Sequence, residues 1–279
     1  MEMSTLIAQH RERLTPAERR VAEMVLSDPQ GVAFGTVATL AGRSGTSDAT
    51  VIRLAGKLGF DGFGPLQARV QKDLADRLRP AHQRIREPSP SDVVSQALAM
   101  EVDNLHATLE GVDRQAFARA SDRIARGPGR VFLVAGEWAR CVADLIADEL
   151  AMLRDGVVLV DGNDVRVGRI LGAVSDQDTV LAIDNRRYDQ WLLRVVRVAR
   201  DAGAYVVSFS DSPLSPLSEV ARVHFTISAR GLGPFDSQVA ALALGHALVA
   251  SVATRLAPRA ASRLDRVEAS WSQLGALSD

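Results

Sequence analysis

The chain has 279 residues, 47% of them hydrophobic and 24% charged, with a formal net charge of -1. That length suits two globular domains, and the near-neutral balance excludes a wholly basic nucleic-acid coat. The single cysteine, Cys141, excludes an intramolecular disulfide.

The opening Met-Glu-Met-Ser-Thr has no basic segment leading into an apolar run, so the expected compartment is the cytoplasm. The first 79 residues carry 11 basic and 9 acidic side chains against 22 and 25 in the remainder, a slightly positive front on a slightly negative body. Within the front, Thr15-Pro16-Ala17-Glu18 reads as a helix start. Thr caps, Pro occupies the first turn and Glu closes a capping box, and the helix continues from Arg19 to Ser27. Thr36 to Gly59 then reads as two short helices around a tight turn. Val37, Leu40 and Ala41 supply the inner face of the first, Gly45 permits the turn, and Ser47 caps the second, whose Val51, Leu54 and Leu58 face inward. Asp48, Thr50, Arg53 and Lys57 are expected on its outward face. Gly59 ends the helix in a left-handed conformation, and Phe60 and Phe63 pack the following helix, Pro65 to Arg77, against its back.

Pro80, Pro88 and Pro90 interrupt helix amid polar residues and mark a linker. The expected domains are therefore 1–79 and 92–279, joined by 80–91. Asp92 to Leu109 and Asp113 to Ala125 have helical spacing. Five short β-branched runs follow, at Val131–Val134, Val157–Val160, Thr179–Ile183, Tyr205–Phe209 and Val223–Ile227, the first four separated by helical segments. Strands apolar on both faces and alternating with helices define a doubly wound α/β domain with a parallel sheet. Two long helices, near Asp236–Leu256 and Ala260–Leu274, close it. The apolar stretch from Val239 to Ala253, interrupted by Gly245 and His246, is shorter than the roughly 20 residues a membrane span needs and reads as a buried helix.

A helix-turn-helix sets the N-terminal residues of its second helix at base edges in the major groove. Ser47, Asp48 and Thr50 are therefore expected near bases or phosphates, Arg53 and Lys57 at phosphates or a guanine edge, and Arg43 at the backbone from the turn. An ordinary helical hairpin with solvated Arg and Lys fits the same pattern. Arg count does not choose between them, because 31 Arg against 2 Lys reflects the codon supply of a GC-rich genome.

The flanks do. Leu14-Thr15-Pro16-Ala17-Glu18-Arg19, Ala38 to Leu40, Ser47 to Leu54 and Lys57 to Phe63, in that order, resemble the N-terminal domain of RpiR-type transcriptional regulators. Val93 to Leu256 resembles the sugar isomerase (SIS) domain in its order of elements and in Ser210–Leu217 and Gly233–Ser237. The resemblance implies a double-stranded DNA operator, a small-molecule effector, possession of SIS domains that assemble into a dimer or tetramer, and no membrane. The apolar helices Val239 to Leu256 and Ala260 to Leu274 are the expected self-association surface, with Trp271 and Leu274 either anchoring it or packing within the chain.

In such sheets ligands sit at the carboxyl ends of the strands, and the resemblance implies hydroxyl-rich turns there that cradle a phosphate. Here the turns read Gly136-Glu137-Trp138-Ala139-Arg140 and Asp184-Asn185-Arg186-Arg187-Tyr188. Glu137 and Asp184 repel a phosphate while Arg140, Arg186 and Arg187 attract one. The sequence thus leaves open a sugar phosphate or other carbohydrate derivative, an altered anionic ligand, a ligand without phosphate, for example one bearing an amine, and a site that binds nothing. Ser210 and Ser212 are ligand candidates that equally suit a capped turn before Pro213. An SIS-type isomerase or lyase needs a base beside the substrate. His106, His224 and His246 each stand alone on a helix or strand, and Glu137 has no partner identifiable in the sequence, so no catalytic residue is assigned and a non-enzyme is expected. No Cys and His spacing suggests a metal, and Gly127-Pro128-Gly129 precedes a strand rather than following one, so neither metal nor cofactor is expected.

Overall fold

The computed structural model describes residues 3–78, 80–86, 91–213 and 215–276; Pro88 and Pro90 of the expected linker lie outside the described residues. Two compact units are present, Met1–Gln96 with Gly233–Phe235, and Ala97–Leu232 with Asp236–Asp279.

The first unit is helical: α1 (Met3–His10), α2 (Pro16–Ser27), α3 (Pro29–Phe34), α4 (Val37–Arg43), α5 (Asp48–Lys57), α6 (Phe63–Leu78) and α7 (Ala81–Arg84). The capping box forms as read. Thr15 Oγ1 accepts from the Glu18 amide at 3.4 Å, and Glu18 Oε2 accepts from the Thr15 amide at 2.8 Å. Val21, Val25, Leu40, Val51, Leu54 and Leu66 share one core, each contributing about 1.5–3 kcal/mol by leaving water. Phe60 and Phe63 pack partly buried against it, as expected of core aromatics. Gly45, at φ 60°, makes the turn between α4 and α5, a conformation that a side chain would strain.

The second unit is built on a five-stranded sheet, β1 (Val131–Ala135), β2 (Val157–Leu159), β3 (Thr179–Ile183), β4 (Tyr205–Ser210) and β5 (Val223–Thr226), ordered β2-β1-β3-β4-β5 with every pairing parallel. Alternation places Leu133, Leu181, Ile183, Val207 and Phe209 in the core on one face, and Phe132, Val134, Val180, Ala182 and Val206 in the core on the other. The first core includes residues of α9 (Arg114–Arg126), α10 (Arg140–Leu153) and α14 (Val239–Leu274), and the second residues of α11 (Asp164–Leu171), α12 (Gln190–Asp201) and α13 (Pro216–Val220). The helix α8 (Val93–Glu110) ties down the segment after β5. Its fully buried Asn104 donates to the Arg230 carbonyl at 2.7 Å and pairs with the Ser228 hydroxyl at 2.8 Å, while Thr108 Oγ1 accepts from the Ser228 amide at 2.8 Å.

Two expectations need correction. The C-terminal helices expected near Asp236–Leu256 and Ala260–Leu274 are one helix of 36 residues. Pro258 removes the N–H that would bond the Thr254 carbonyl, a defect costing roughly 3 kcal/mol, yet the helix continues because Ala260 is buried in the core and Arg263 Nε donates to the Ala151 carbonyl at 3.0 Å. Val239–Ala257 is also long and apolar enough to cross a membrane by length and composition. Its Ala240, Ala241, Leu244, Leu248 and Val252 are buried in this unit's own core, whereas His246 on another face is half-exposed. The helix is buried along one face, which packs into this unit's own core.

Candidate functional site

Two places gather the expected functional side chains, one in each unit. In the first, α5 is held by α2, α4 and α6, so its buried face is broad: Thr50, Val51, Leu54 and Ala55 all point inward. Thr50, expected outward, is only 5% exposed. Its Oγ1 accepts from Arg53 Nη2 at 2.9 Å and pairs with Ser47 Oγ at 3.0 Å. Ser47 occupies the cap position but makes this hydroxyl pair instead of a side-chain cap bond. Lys57 is likewise engaged. Its Nζ lies 2.7 Å from Glu18 Oε2 and 3.1 Å from the Arg13 carbonyl, tying the end of α5 to α2. Arg43 pairs with Asp28, the residue capping α3.

Ser47, Asp48, Ala49, Ile52, Arg53 and Gly56 remain exposed on α5. Ile52, 50% exposed, is the apolar member that the sequence reading missed; its place between Asp48 and Gly56 on an exposed helix face was the available signal. Arg20 was missed as well. Its guanidinium donates to the Ser44 and Gly45 carbonyls at 3.3 and 3.4 Å and so fixes the turn before α5.

In the second unit, the strand order reverses direction between β1 and β3, which is where open α/β sheets leave a crevice. A cavity of about 210 Å³ lies at the carboxyl ends, lined among others by Glu137, Arg140, Asp144, Asp161, Asp189 and Trp191. Asp144, Asp161, Asp189 and Trp191 were not among the expected site residues; they come from α10, from the end of β2 and from the start of α12, which only the fold brings together. Arg140 is not free, since Nη2 lies 3.2 Å from Asp161 Oδ2 and Nε 3.8 Å from Asp144 Oδ2.

Asp184 and Asn185 are buried beside the crevice. One Asp184 oxygen accepts from the Asn185 amide at 2.9 Å and the other from the Asp189 amide at 2.7 Å. Burial, helped by the Asp189 and Asp211 charges, outweighs these two bonds and pushes the Asp184 carboxyl up to about 7. A Cβ at Gly136 would collide with this carboxylate, so the β1 turn requires glycine there. Arg186 is paired with Asp236 through Nε at 2.9 and 3.0 Å and Nη2, which removes it from the set of free cations. Ser210 is fully buried and bonded to Ser215 Oγ at 2.5 Å, and the Ser215 amide donates to the Ser212 carbonyl at 3.1 Å, so the capped-turn reading describes this segment. His224 is a structural residue, its Nδ1 2.9 Å from Ser208 Oγ, and burial pushes it down to about 4.

Arg187 is exposed at the loop tip with φ 64°, the one non-glycine residue at positive φ among the described residues. That conformation costs roughly 1–2 kcal/mol. Arg187→Gly is therefore expected to hold or raise stability by up to about 1 kcal/mol, the flexibility of glycine offsetting part of the gain, and Arg187→Val to lower it. Urea denaturation of the three proteins checks this, and a clear loss in the glycine variant would show that the Arg187 side chain is anchored.

A helix-turn-helix unit and an α/β unit with a crevice at its switch point define a two-part regulator, one part for DNA and one for a ligand. Residues 1–77 match the helix-turn-helix domain of the rpiR family and residues 126–251 match the SIS domain. The chain is 26% identical over 223 residues to the uncharacterized HTH-type transcriptional regulator YbbH of Bacillus subtilis, covering 77% of each chain. Among solved structures, it superposes on the sugar isomerase domain of an RpiR transcription factor from Sphaerobacter thermophilus with a TM-score of 0.60 and 22% identity, over 63% of this chain and 98% of that one. The Vibrio vulnificus NanR protein, solved with ManNAc-6P, matches over 100% of both chains with a TM-score of 0.58 and 22% identity. The chain belongs to the RpiR family of transcriptional regulators.

Proposed function

We propose that the chain reads an operator through the exposed face of α5, senses a small molecule in the strand-end cavity, catalyses no turnover and works as a dimer or tetramer. The outward stripe of α5 carries this reading. Its inner face is fixed by Val51, Leu54 and Ala55, so Asp48, Ala49, Ile52 and Arg53 are presented as a rigid set of an acceptor, two apolar groups and a guanidinium. Those are complements of base edges, thymine methyls and phosphates. Two-fold assembly would present two such helices to a near-palindromic site, and the segment 80–91 would let ligand binding change their spacing. Only a ligand with different affinities for the two arrangements does so.

Selection of genomic fragments by the full-length chain tests the reading. One near-palindromic sequence should be enriched, and replacing a contacted thymine by uracil should weaken binding about 4-fold, the worth of one buried methyl. The Ile52→Ala chain should show no such loss. Recovery of unenriched DNA would overturn the operator assignment. Turnover of a sugar phosphate at a rate lost in Glu137→Gln would overturn the non-enzyme assignment.

A further inference from the structure

We propose that the strand-end cavity takes a small molecule bearing an ammonium group and no phosphate. The proposal rests on the effector-site reading above and specifies its ligand class.

The charges lining the cavity are Glu137, Asp144, Asp161 and Asp189 against Arg140. Arg140 is already answered by Asp161 and faces Asp144, and the nearby Arg166 is held by Asp161 at 3.1 Å. Cations thus leave carboxylates over. The Asp144 side chain is 44% exposed, with Oδ2 3.8 Å from Arg140 Nε and Oδ1 without a hydrogen-bond partner among the described residues, so its carboxylate is open to a ligand donor. Among the described residues the Asp189 carboxylate accepts only from the Trp191 amide, through Oδ1, and Trp191 adds aromatic surface to the wall, a surface that attracts cations.

Two of the groups that would hold an anion are spent. Backbone amides of the loop after β3 are the natural cradle for a phosphate, and here the Asn185 and Asp189 amides are taken by the Asp184 carboxylate. The Asp184 carboxyl therefore occupies the cradle, packed so closely on Gly136 that even a Cβ cannot enter. The N-terminus of α10 lacks a side-chain cap and adds about half a positive charge, too little to reverse the carboxylate excess. The side chain of Asn185, 5% exposed with neither Nδ2 nor Oδ1 partnered, is a further polar group on the same loop left without a protein partner.

Amine chemistry is shared by amino sugars and aliphatic diamines. Isothermal titration of the full-length chain with glucosamine, putrescine, glucose and glucose 6-phosphate separates these sources and sets amine against phosphate. One of the two amines should bind at least about 10-fold more tightly than glucose or glucose 6-phosphate, and the gain should disappear in Asp144→Asn. Glu137→Gln, at an exposed position that folding does not depend on, provides a second variant with the same expected loss. Tighter binding of glucose 6-phosphate would overturn the ligand class and leave the effector-site reading standing. Binding by none of the four probes would overturn both.

Discussion

Asp184→Asn should invert its stability relative to the parent chain between pH 4 and pH 8. Asp184 has a folded value of about 7 against an ordinary 3.8, with burial as the main cause. Between these values the folded chain holds a proton that the unfolded chain has lost, so this group lowers stability as pH rises from about 4 to about 7. The full effect above pH 7 is about 4 kcal/mol, an order-of-magnitude figure from roughly three units at 1.36 kcal/mol each. His224 acts in the opposite sense. Its folded value is about 4 against 6.5, so its contribution to stability grows with pH over that interval, and the parent chain's profile stays comparatively flat until about pH 6.5. The Asn variant removes the Asp184 contribution alone. It also offers one acceptor oxygen where the two Asp184 oxygens serve the Asn185 and Asp189 amides, leaving one amide unmet at a cost of about 1–3 kcal/mol. The variant should thus be less stable at pH 4 and more stable at pH 8. Denaturant titrations of both proteins at four pH values check the crossing, and parallel profiles would show that Asp184 is ionised throughout.

Glu18→Ala should cost the helical unit about 2–4 kcal/mol. Glu18, 2% exposed, accepts from the Thr15 amide and from Lys57. Burial raises its carboxyl, and the bonds from Lys57 and Thr15 outweigh that and hold it below the ordinary range. Alanine removes the capping box, worth about 1 kcal/mol, and takes one acceptor from the Thr15 amide and from the Lys57 ammonium. Lys57 is 38% exposed and can reach water, which limits the loss. Because Lys57 ends α5, the same change should loosen the DNA-facing helix. Hydrogen exchange of peptides from residues 1–77 in the full-length chain should speed up in both α2 and α5, and an effect confined to α2 would contradict the tie. Since the folded value of Glu18 is depressed, the Glu18→Gln difference is present above about pH 4.5 and shrinks on acidification.

Local signals were legible in the sequence and distant partners were not. The Thr15–Glu18 capping box, the Gly45 turn and the strand cores all rest on spacings within a few residues, and each forms as read. Thr50 was misplaced because helical spacing gives one inward stripe, whereas α5 is packed by three helices and buries a wider face. Lys57 and Arg186 looked like free cations since Glu18 is 39 residues away and Asp236 is 50 away. The charge conflict at Glu137 and Asp184 was visible, but only the fold shows that Asp184 takes its own loop's amides and that Asp144, Asp161 and Asp189 join Glu137 at one cavity. The unbroken α14 was hidden by Pro258, whose local cost is outweighed by packing on either side.

The measurement that bears most directly on the central claim is a fluorescence anisotropy titration of the selected operator with the full-length chain and with Arg53→Ala, from about 50 to about 200 mM salt. The expected result is specific binding that weakens steeply with salt and is at least about 10-fold weaker in Arg53→Ala, in line with roughly 1–3 kcal/mol for one good base or phosphate contact. Equal affinity of the two proteins at every salt concentration, or equal affinity of the parent chain for operator and scrambled DNA, would contradict the assignment of α5 as the DNA-reading helix.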